Sequence, residues 1–173
     1  MRRRGAFKEC EMNILNHFNE TGNVHPIDLV ETLAEIYAWE FDRIGEDRIS
    51  MLIEGQWRMY SVTLAWSQFE ESLCLFSTFD IEPPENRLGV LHEALNLANE
   101  QCRVGSFTYW AKEKLINYRY VLILDGNAEA SSEQISKMLE NAINLSERFY
   151  PAFQLVCWGD RSPKSAMQIA ITE

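Results

Sequence analysis

Residues 48–81 decide the fold, and they read RISMLIEGQWRMYSVTLAWSQFEESLCLFSTFDI. Apolar and polar side chains alternate over 48–54, over 57–69 and over 72–81, which is the period of a half-buried β-strand. Only a few residues separate the three runs, whereas parallel neighbours need a crossover of a dozen or more residues. The stretch therefore predicts three antiparallel strands in a meander.

The flanking sequence predicts helices and two more strands. Apolar residues at helical spacing predict four helices: about 26–41, about 85–102, from the Ser131–Gln134 capping box to a break at Trp158-Gly159-Asp160, and from Pro163 through Ile171. Further strands are expected at about 105–113 and 117–124. Because nearly every position from Tyr118 to Leu124 is apolar, we expect the last strand to be covered on both faces.

The order of these elements is α-βββ-α-ββ-α-α, which predicts an α+β fold with a five-stranded antiparallel sheet packed with helices. A chain of 173 residues fits one domain, placed at 25–173. Residues 1–24 stand apart as a flexible leader. The leader has four of the 16 basic residues and three of the 26 acidic ones, so it carries +1 and the domain −11.

Charge and hydropathy exclude several classes of protein. A strongly acidic domain repels phosphate backbones, so nucleic acid is not an expected partner. Polar residues interrupt the segment after Arg2-Arg3-Arg4, so it lacks the apolar run of a signal peptide. No window approaches the ~18 apolar residues of a membrane span. We therefore expect a cytoplasmic protein that does not bind membranes.

The sequence contains no catalytic signature. It lacks a glycine-rich phosphate loop and a nucleophile elbow, and no cofactor is expected. Cys10, His17 and His25 are the best metal-ligand candidates, but their spacing fits no standard zinc module. We therefore expect no catalytic, cofactor or metal site, and no enzyme activity.

Aromatic residues are the more informative group. Trp57 and Met59 lie on the opposite face of their strand from Tyr60, and Trp110 lies on another strand. Either helices cover both faces of the sheet, or one face is a contact surface. Trp57, Met59 and Trp110 are accordingly the candidate partner surface.

The chain also resembles a known family, and the resemblance covers about residues 25–173. The residues that carry it are His25-Pro26-Ile27-Asp28, Glu54-Gly55-Gln56-Trp57-Arg58 with Tyr60-Ser61, Thr63-Leu64-Ala65-Trp66, Pro83-Pro84-Glu85, Asn96-Leu97-Ala98-Asn99 and Glu147-Arg148-Phe149-Tyr150-Pro151-Ala152-Phe153-Gln154. The family is the bacterial YbjN-domain family, whose members are labelled "putative sensory-transduction regulators".

The resemblance implies a fold similar to that of type III secretion chaperones. Those proteins are small, acidic and dimeric, bind an extended partner segment along apolar surfaces, and use no nucleotide. The first hypothesis is therefore a non-enzymatic, chaperone-like regulatory module that binds a protein partner of unknown identity. It predicts a homodimer whose two-fold interface is built partly from Leu88, Leu91, His92 and Leu95 of the second helix.

The second hypothesis is a small-molecule sensor or enzyme with a pocket between the sheet and the helices. Its candidate polar groups are Arg58, Arg119 and His92. Arg119 lies among apolar neighbours in its strand and would need a carboxylate partner if it were buried.

Overall fold

The computed structural model describes residues 24–126 and 128–172, with side chains up to Ala170. The predicted leader, residues 1–24, lies outside the described residues except for Val24, which packs against the core. The proposed division between leader and domain stays a prediction.

The described residues form helices and one sheet, in an α+β fold. The helices are α1 (Pro26–Ile36), α2 (Leu88–Gln101), α3 (Ser132–Cys157) and α4 (Pro163–Thr172), and a 3-10 turn, Glu85–Arg87, precedes α2. The strands are β1 (Glu40–Arg43), β2 (Arg48–Glu54), β3 (Met59–Ser67), β4 (Ser72–Asp80), β5 (Ser106–Trp110) and β6 (Leu115–Ile123). The sheet order is β1-β2-β3-β4-β6-β5, and every neighbouring pair is antiparallel.

The predicted five-stranded sheet is wrong by one strand, because the predicted first helix, about 26–41, includes the first half of β1. That helix ends at Ile36, where Ala38 takes a left-handed conformation with φ of 53° and Trp39 donates its N–H to the carbonyl of Ala34 at 2.9 Å. Phe41, which fits the helical stripe, lies on β1 opposite Met51. A four-residue strand is too short to show its own period in the sequence.

Two helix starts agree with the sequence. Pro26 occupies the first turn of α1, and the His25 Nδ1 atom accepts a hydrogen bond from the Ile27 N–H at 3.3 Å. At α3, the Ser131 hydroxyl accepts from the Gln134 N–H at 3.2 Å, and the Gln134 side chain accepts from the Ser131 N–H at 2.9 Å. The predicted capping box is therefore confirmed.

The helices pack against one face of the sheet. α1 contacts β1, β2 and β3, α3 contacts β4 and β6, and α2 contacts β5. Alternate strand residues on that side are buried in the same core as the apolar residues of the helices. The other face, which we call the open face, has no helix over it among the described residues.

The prediction that the strand at 117–124 is covered on both faces is wrong for the isolated chain. β6 lies second from the edge of the sheet, between β4 and β5. Ile116 and Tyr118 are buried toward the helices, whereas Arg119, Val121 and Ile123 are exposed on the open face. Its apolar run thus reflects one core face and one exposed apolar face, a distinction that periodicity cannot make.

Candidate functional site

The open face combines neutral central strands with exposed apolar side chains. On β3 and β4 its residues are mostly small, such as Ser61, Thr63, Ala65 and Cys74. The single charged residue on the open face of these two strands is Asp80, the last residue of β4. Around these strands lie large, exposed apolar side chains: Leu52 (41% exposed), Met59 (48%), Trp110 (37%), Val121 (42%) and Ile123 (69%). Several large apolar side chains exposed on one face are typical of a contact surface.

The structure places the three predicted partner residues at the same end of the sheet. Met59 pairs with Glu54 at the start of β3, and Trp110 pairs with Leu115 at the end of β5. Both side chains belong to the open face, and three strand spacings of ~4.8 Å separate β3 from β5. Trp57, 49% exposed, lies in the turn between β2 and β3 at that end. The prediction that Trp57 lies on the strand at 57–69 is therefore wrong, because β3 begins at Met59.

The turn that carries Trp57 is held from α3. A carboxylate oxygen of Glu147 accepts a hydrogen bond from the Gln56 N–H at 2.8 Å, and the other lies 3.4 Å from the Trp57 N–H. A Cβ atom on Gly55 would lie 2.3 Å from a Glu147 carboxylate oxygen, so only glycine allows this approach. The contact joins two of the quoted sequence motifs, the one that begins at Glu54 and the one that begins at Glu147.

Arg58 holds the other end of this turn. Its guanidinium donates to the backbone carbonyl and to a carboxylate oxygen of Asp80, both at 2.8 Å. It also lies over the rings of Phe79 and Tyr150, 5.9 Å and 5.4 Å from their centroids. Arg58 is therefore engaged in holding the β2–β3 turn against β4.

Tyr60 lies directly beneath the turn. Burial raises the pKa of its hydroxyl above the usual range, and the nearby Glu147 carboxylate raises it further. The neutral phenol is thus the form that the fold accommodates.

The residues predicted for a dimer interface divide between core and surface. Leu91 and Leu95 are buried within this chain, Leu88 is half-buried, and His92 is exposed, with its ring 6.2 Å from that of Tyr109. The two buried leucines pack in the intrachain core. The interface itself stays a prediction, to which Leu88 and His92 contribute the accessible surface.

The candidate small-molecule groups do not converge. Arg58 binds Asp80, Arg119 is exposed on the open face, and His92 is on α2. A cavity of about 220 Å³ does lie between the sheet and α3, but it is lined by other residues, with Tyr37, Trp39 and Ile53 among them. Ligand pockets commonly measure ~300–1,000 Å³, so this cavity is small for a metabolite.

Metal binding and membrane insertion find no support in the described part of the chain. No three of its His, Cys, Asp or Glu side chains converge as metal ligands. Of the earlier candidates, Cys10 and His17 lie outside the described residues, and His25 caps α1 and contacts Asp47 at 3.3 Å. None of the helices in residues 24–126 and 128–172 is long and apolar enough to cross a bilayer.

One surface feature has almost no signal in the sequence. β1 forms an edge of the sheet, and a second cavity, of about 280 Å³, runs along β1 and β2. Only the acidic residues Glu40 and Asp42, two apart, hint at a strand with a polar face.

With this geometry in place, comparison with known proteins identifies the family. The sequence matches the YbjN family, described as "Putative bacterial sensory transduction regulator", over residues 26–155. The chain belongs to the YbjN family. The resemblance expected from the sequence motifs is therefore confirmed. No curated protein matches the chain.

Solved structures are similar in fold. The structure described as "YbjN, a putative transcription regulator from E. coli" has a TM-score of 0.52 at 8% identity, over 74% of this chain and 93% of that one. A chain from the HopA1–SchA chaperone–effector complex has a TM-score of 0.47 at 13% identity, over 66% of this chain and 84% of that one. The first likeness shows a shared fold, and the second is too distant to argue from.

Proposed function

We propose that this YbjN-family chain is a non-enzymatic, chaperone-like regulatory module that binds another protein through the open face of its sheet. The observation that carries the proposal is the sheet itself, whose helices lie on one side while Leu52, Met59 and Trp110 remain exposed on the other. Tyr and Trp side chains bring large contact area with little loss of entropy. Membership in a family described as regulators agrees with this role.

The fixed turn around Trp57 supports the same role. Glu147 and Arg58 anchor the backbone on either side of Trp57, so this half-exposed indole is presented from a rigid base. An ordered anchor loses less entropy on binding than a mobile one. Trp57, Met59 and Trp110 therefore form the proposed partner surface.

The proposal places the module in the cytoplasm as a homodimer. The small exposed part of the α2 stripe, Leu88 with His92, is the proposed two-fold contact. An acidic domain gives no attraction to nucleic acid or to an anionic membrane, so neither is a proposed partner.

A small-molecule sensor is the second candidate, and one observation favours it. The 220 Å³ cavity beside α3 is lined largely by apolar side chains, with the stacked rings of Tyr37 and Trp39 at one side. A thermal-shift screen against metabolites would favour this candidate if a ligand raised the melting temperature and Ile53→Trp, which fills the cavity, removed the effect.

Site-specific photo-cross-linking in the native cell tests the protein-binding role. A photoreactive amino acid at Met59 reports on the open face, and one at exposed Lys164 on α4 reports on the helical side. We expect a reproducible cross-linked protein from Met59 and none from Lys164. Equal labelling from both positions would assign the contact to non-specific collision, and no labelling together with measured turnover of a substrate would overturn the role.

A further inference from the structure

The edge strand β1 has backbone groups without a strand partner. β1 pairs with β2 on one side, and no described strand lies on the other. Ile44 donates its N–H across to the carbonyl of Arg48 at 2.8 Å. Because the bonding direction alternates from residue to residue along an antiparallel strand, Phe41 and Arg43 direct their N–H and C=O groups away from β2. Four backbone groups thus face the free side.

An apolar cavity lies on the helical side of the sheet next to Trp39, the residue that precedes β1. It has a volume of about 220 Å³ and is lined mostly by apolar side chains, which come from Tyr37, Trp39 and Ile53 and from α3, where Ser136, Glu140 and Asn144 add polar groups beside Leu139 and Ile143. The Tyr37 and Trp39 rings stack with centroids 4.8 Å apart. An added strand would direct every second side chain to this side of the sheet, where the cavity accepts apolar groups.

An acidic cavity lies beside the same edge on the open side. It has a volume of about 280 Å³, and its lining includes Glu40, Asp42, Ile44 and Leu52. Glu40 and Asp42 are both exposed, and neither forms an ion pair with another described residue. The intervening side chains of an added strand would reach these carboxylates, which favour Lys or Arg.

The edge is held rigid from within the domain. The Arg43 guanidinium bonds to Asp28 at 2.7 Å and to Glu31, and it also donates to the carbonyls of Gly45 and Glu46, both at 3.2 Å. These bonds tie β1 to α1 and to the β1–β2 turn. Arg43 is thereby neutralised, so it does not offset the exposed charge of its strand, and the edge is ordered before a partner arrives.

Charge argues against a second copy of the chain at this edge. In an antiparallel pair of β1 strands about a two-fold axis, Glu40 and Asp42 of one copy would meet the same carboxylates of the other on the open face. Like charges directly opposite each other on neighbouring strands are destabilising. The same carboxylates that oppose self-pairing attract a cationic strand, which is a common route to specificity.

We propose that β1 accepts an extended, cationic segment of another protein as a seventh strand of the sheet. The segment alternates apolar side chains, which enter the Tyr37–Trp39 cavity, with Lys or Arg side chains, which pair with Glu40 and Asp42. Backbone bonds to Phe41 and Arg43 supply the pairing, as in other cases of strand addition. The proposal rests on the protein-binding role above and adds a second contact, with its own chemistry, to the open face.

Defined peptides test the proposal on the full chain by fluorescence anisotropy. The probe is a nine-residue labelled peptide in which isoleucine and lysine alternate. One control has the same composition arranged in two blocks, and another carries N-methyl groups on alternate backbone amides. We expect saturable binding of the alternating peptide and at least a tenfold loss of affinity for each control. Equal affinity of the three peptides would overturn strand addition.

A matched pair of protein variants tests the charge assignment. Glu40→Gln with Asp42→Asn removes two exposed carboxylates from β1, and Glu93→Gln with Glu100→Gln removes two from α2. At low salt, the first pair of substitutions is expected to lower the affinity for the alternating peptide by about tenfold, and the second pair by less than twofold. Equal effects would show that only the net charge of the domain matters, which contradicts the proposal.

Other occupants give distinct results. If deletion of residues 1–23 strengthens peptide binding tenfold or more, the chain's own leader occupies the edge, and the proposal of a segment from another protein is overturned. A dimer whose dissociation constant changes with Glu40→Gln and Asp42→Asn would assign the edge to a second copy. Failure of the peptides while the Met59 cross-link persists overturns this inference alone. Loss of both overturns the protein-binding role.

Discussion

The two faces of strand β3 differ sharply although their residues alternate along the same backbone. Toward the helices, Tyr60, Val62 and Leu64 are completely buried. Toward the open face, Ser61 and Thr63 are small, neutral and only half-buried. The first set fills volume in a close-packed core, and the second leaves a flat surface on which another chain can lie. One face therefore stabilises the domain, and the other is the proposed binding surface.

The largest expected effect comes from a substitution on the buried face. Leu64→Ala removes a fully buried side chain from the core, so the free energy of unfolding should fall by about 3 kcal/mol. Ser61→Ala on the open face of the same strand should change it by less than ~0.5 kcal/mol. Urea unfolding of both variants checks the comparison, and similar losses would refute the division between the faces.

A smaller effect is expected where α3 meets the turn before Trp57. In Gly55→Ala the new methyl group would lie 2.3 Å from a Glu147 oxygen and 2.6 Å from the Tyr60 ring, so we expect a loss of about 1–3 kcal/mol. Gly89→Ala on α2 is the matched control. Its methyl group meets nothing within 4 Å, and alanine favours a helix, so a gain of up to ~1 kcal/mol is expected. Thermal unfolding would contradict the close approach if both variants were stabilised.

A third, weaker effect is expected at alkaline pH. Burial raises the pKa of Tyr60 and of Tyr118 above their usual value, so the fold favours the neutral phenols. Their contribution to stability is complete below pH ~10 and is lost as the pH rises toward the folded-state pKa values. The free energy of unfolding should therefore decrease above pH ~10, and Tyr60→Phe should make the decrease shallower. Urea titrations at pH 8, 9.5 and 11 measure the slope, and a flat profile would contradict the assignment.

Much of this fold follows from periodicity. β2 and the capping box of α3 lie where the sequence places them, because each has a local pattern that is strong enough to read alone. β1 does not, since four residues contain too few alternations and Phe41 fits the helical stripe as well. The end of α1 depends on the left-handed turn at Ala38, which is a residue with no preference for that conformation.

The proposed partner surface was predictable only in outline. The surplus of aromatic residues indicated a contact surface, and Trp57, Met59 and Trp110 do lie at one end of the sheet. The part played by Glu147 could not be predicted, because its contact with Gln56 joins residues 91 positions apart. The burial of Leu91 depends on where α2 packs, and that packing is also set by distant residues.

The most direct test of the central claim is one substitution measured in two ways. Leu52→Glu places a charge on the open face beside position 59, where Leu52 is 41% exposed. We predict that the free energy of unfolding changes by less than about 0.5 kcal/mol, as for other surface substitutions, while the cross-link from position 59 is lost. An undiminished cross-link, or a loss of stability of several kcal/mol, would contradict the assignment of the open face to a protein partner.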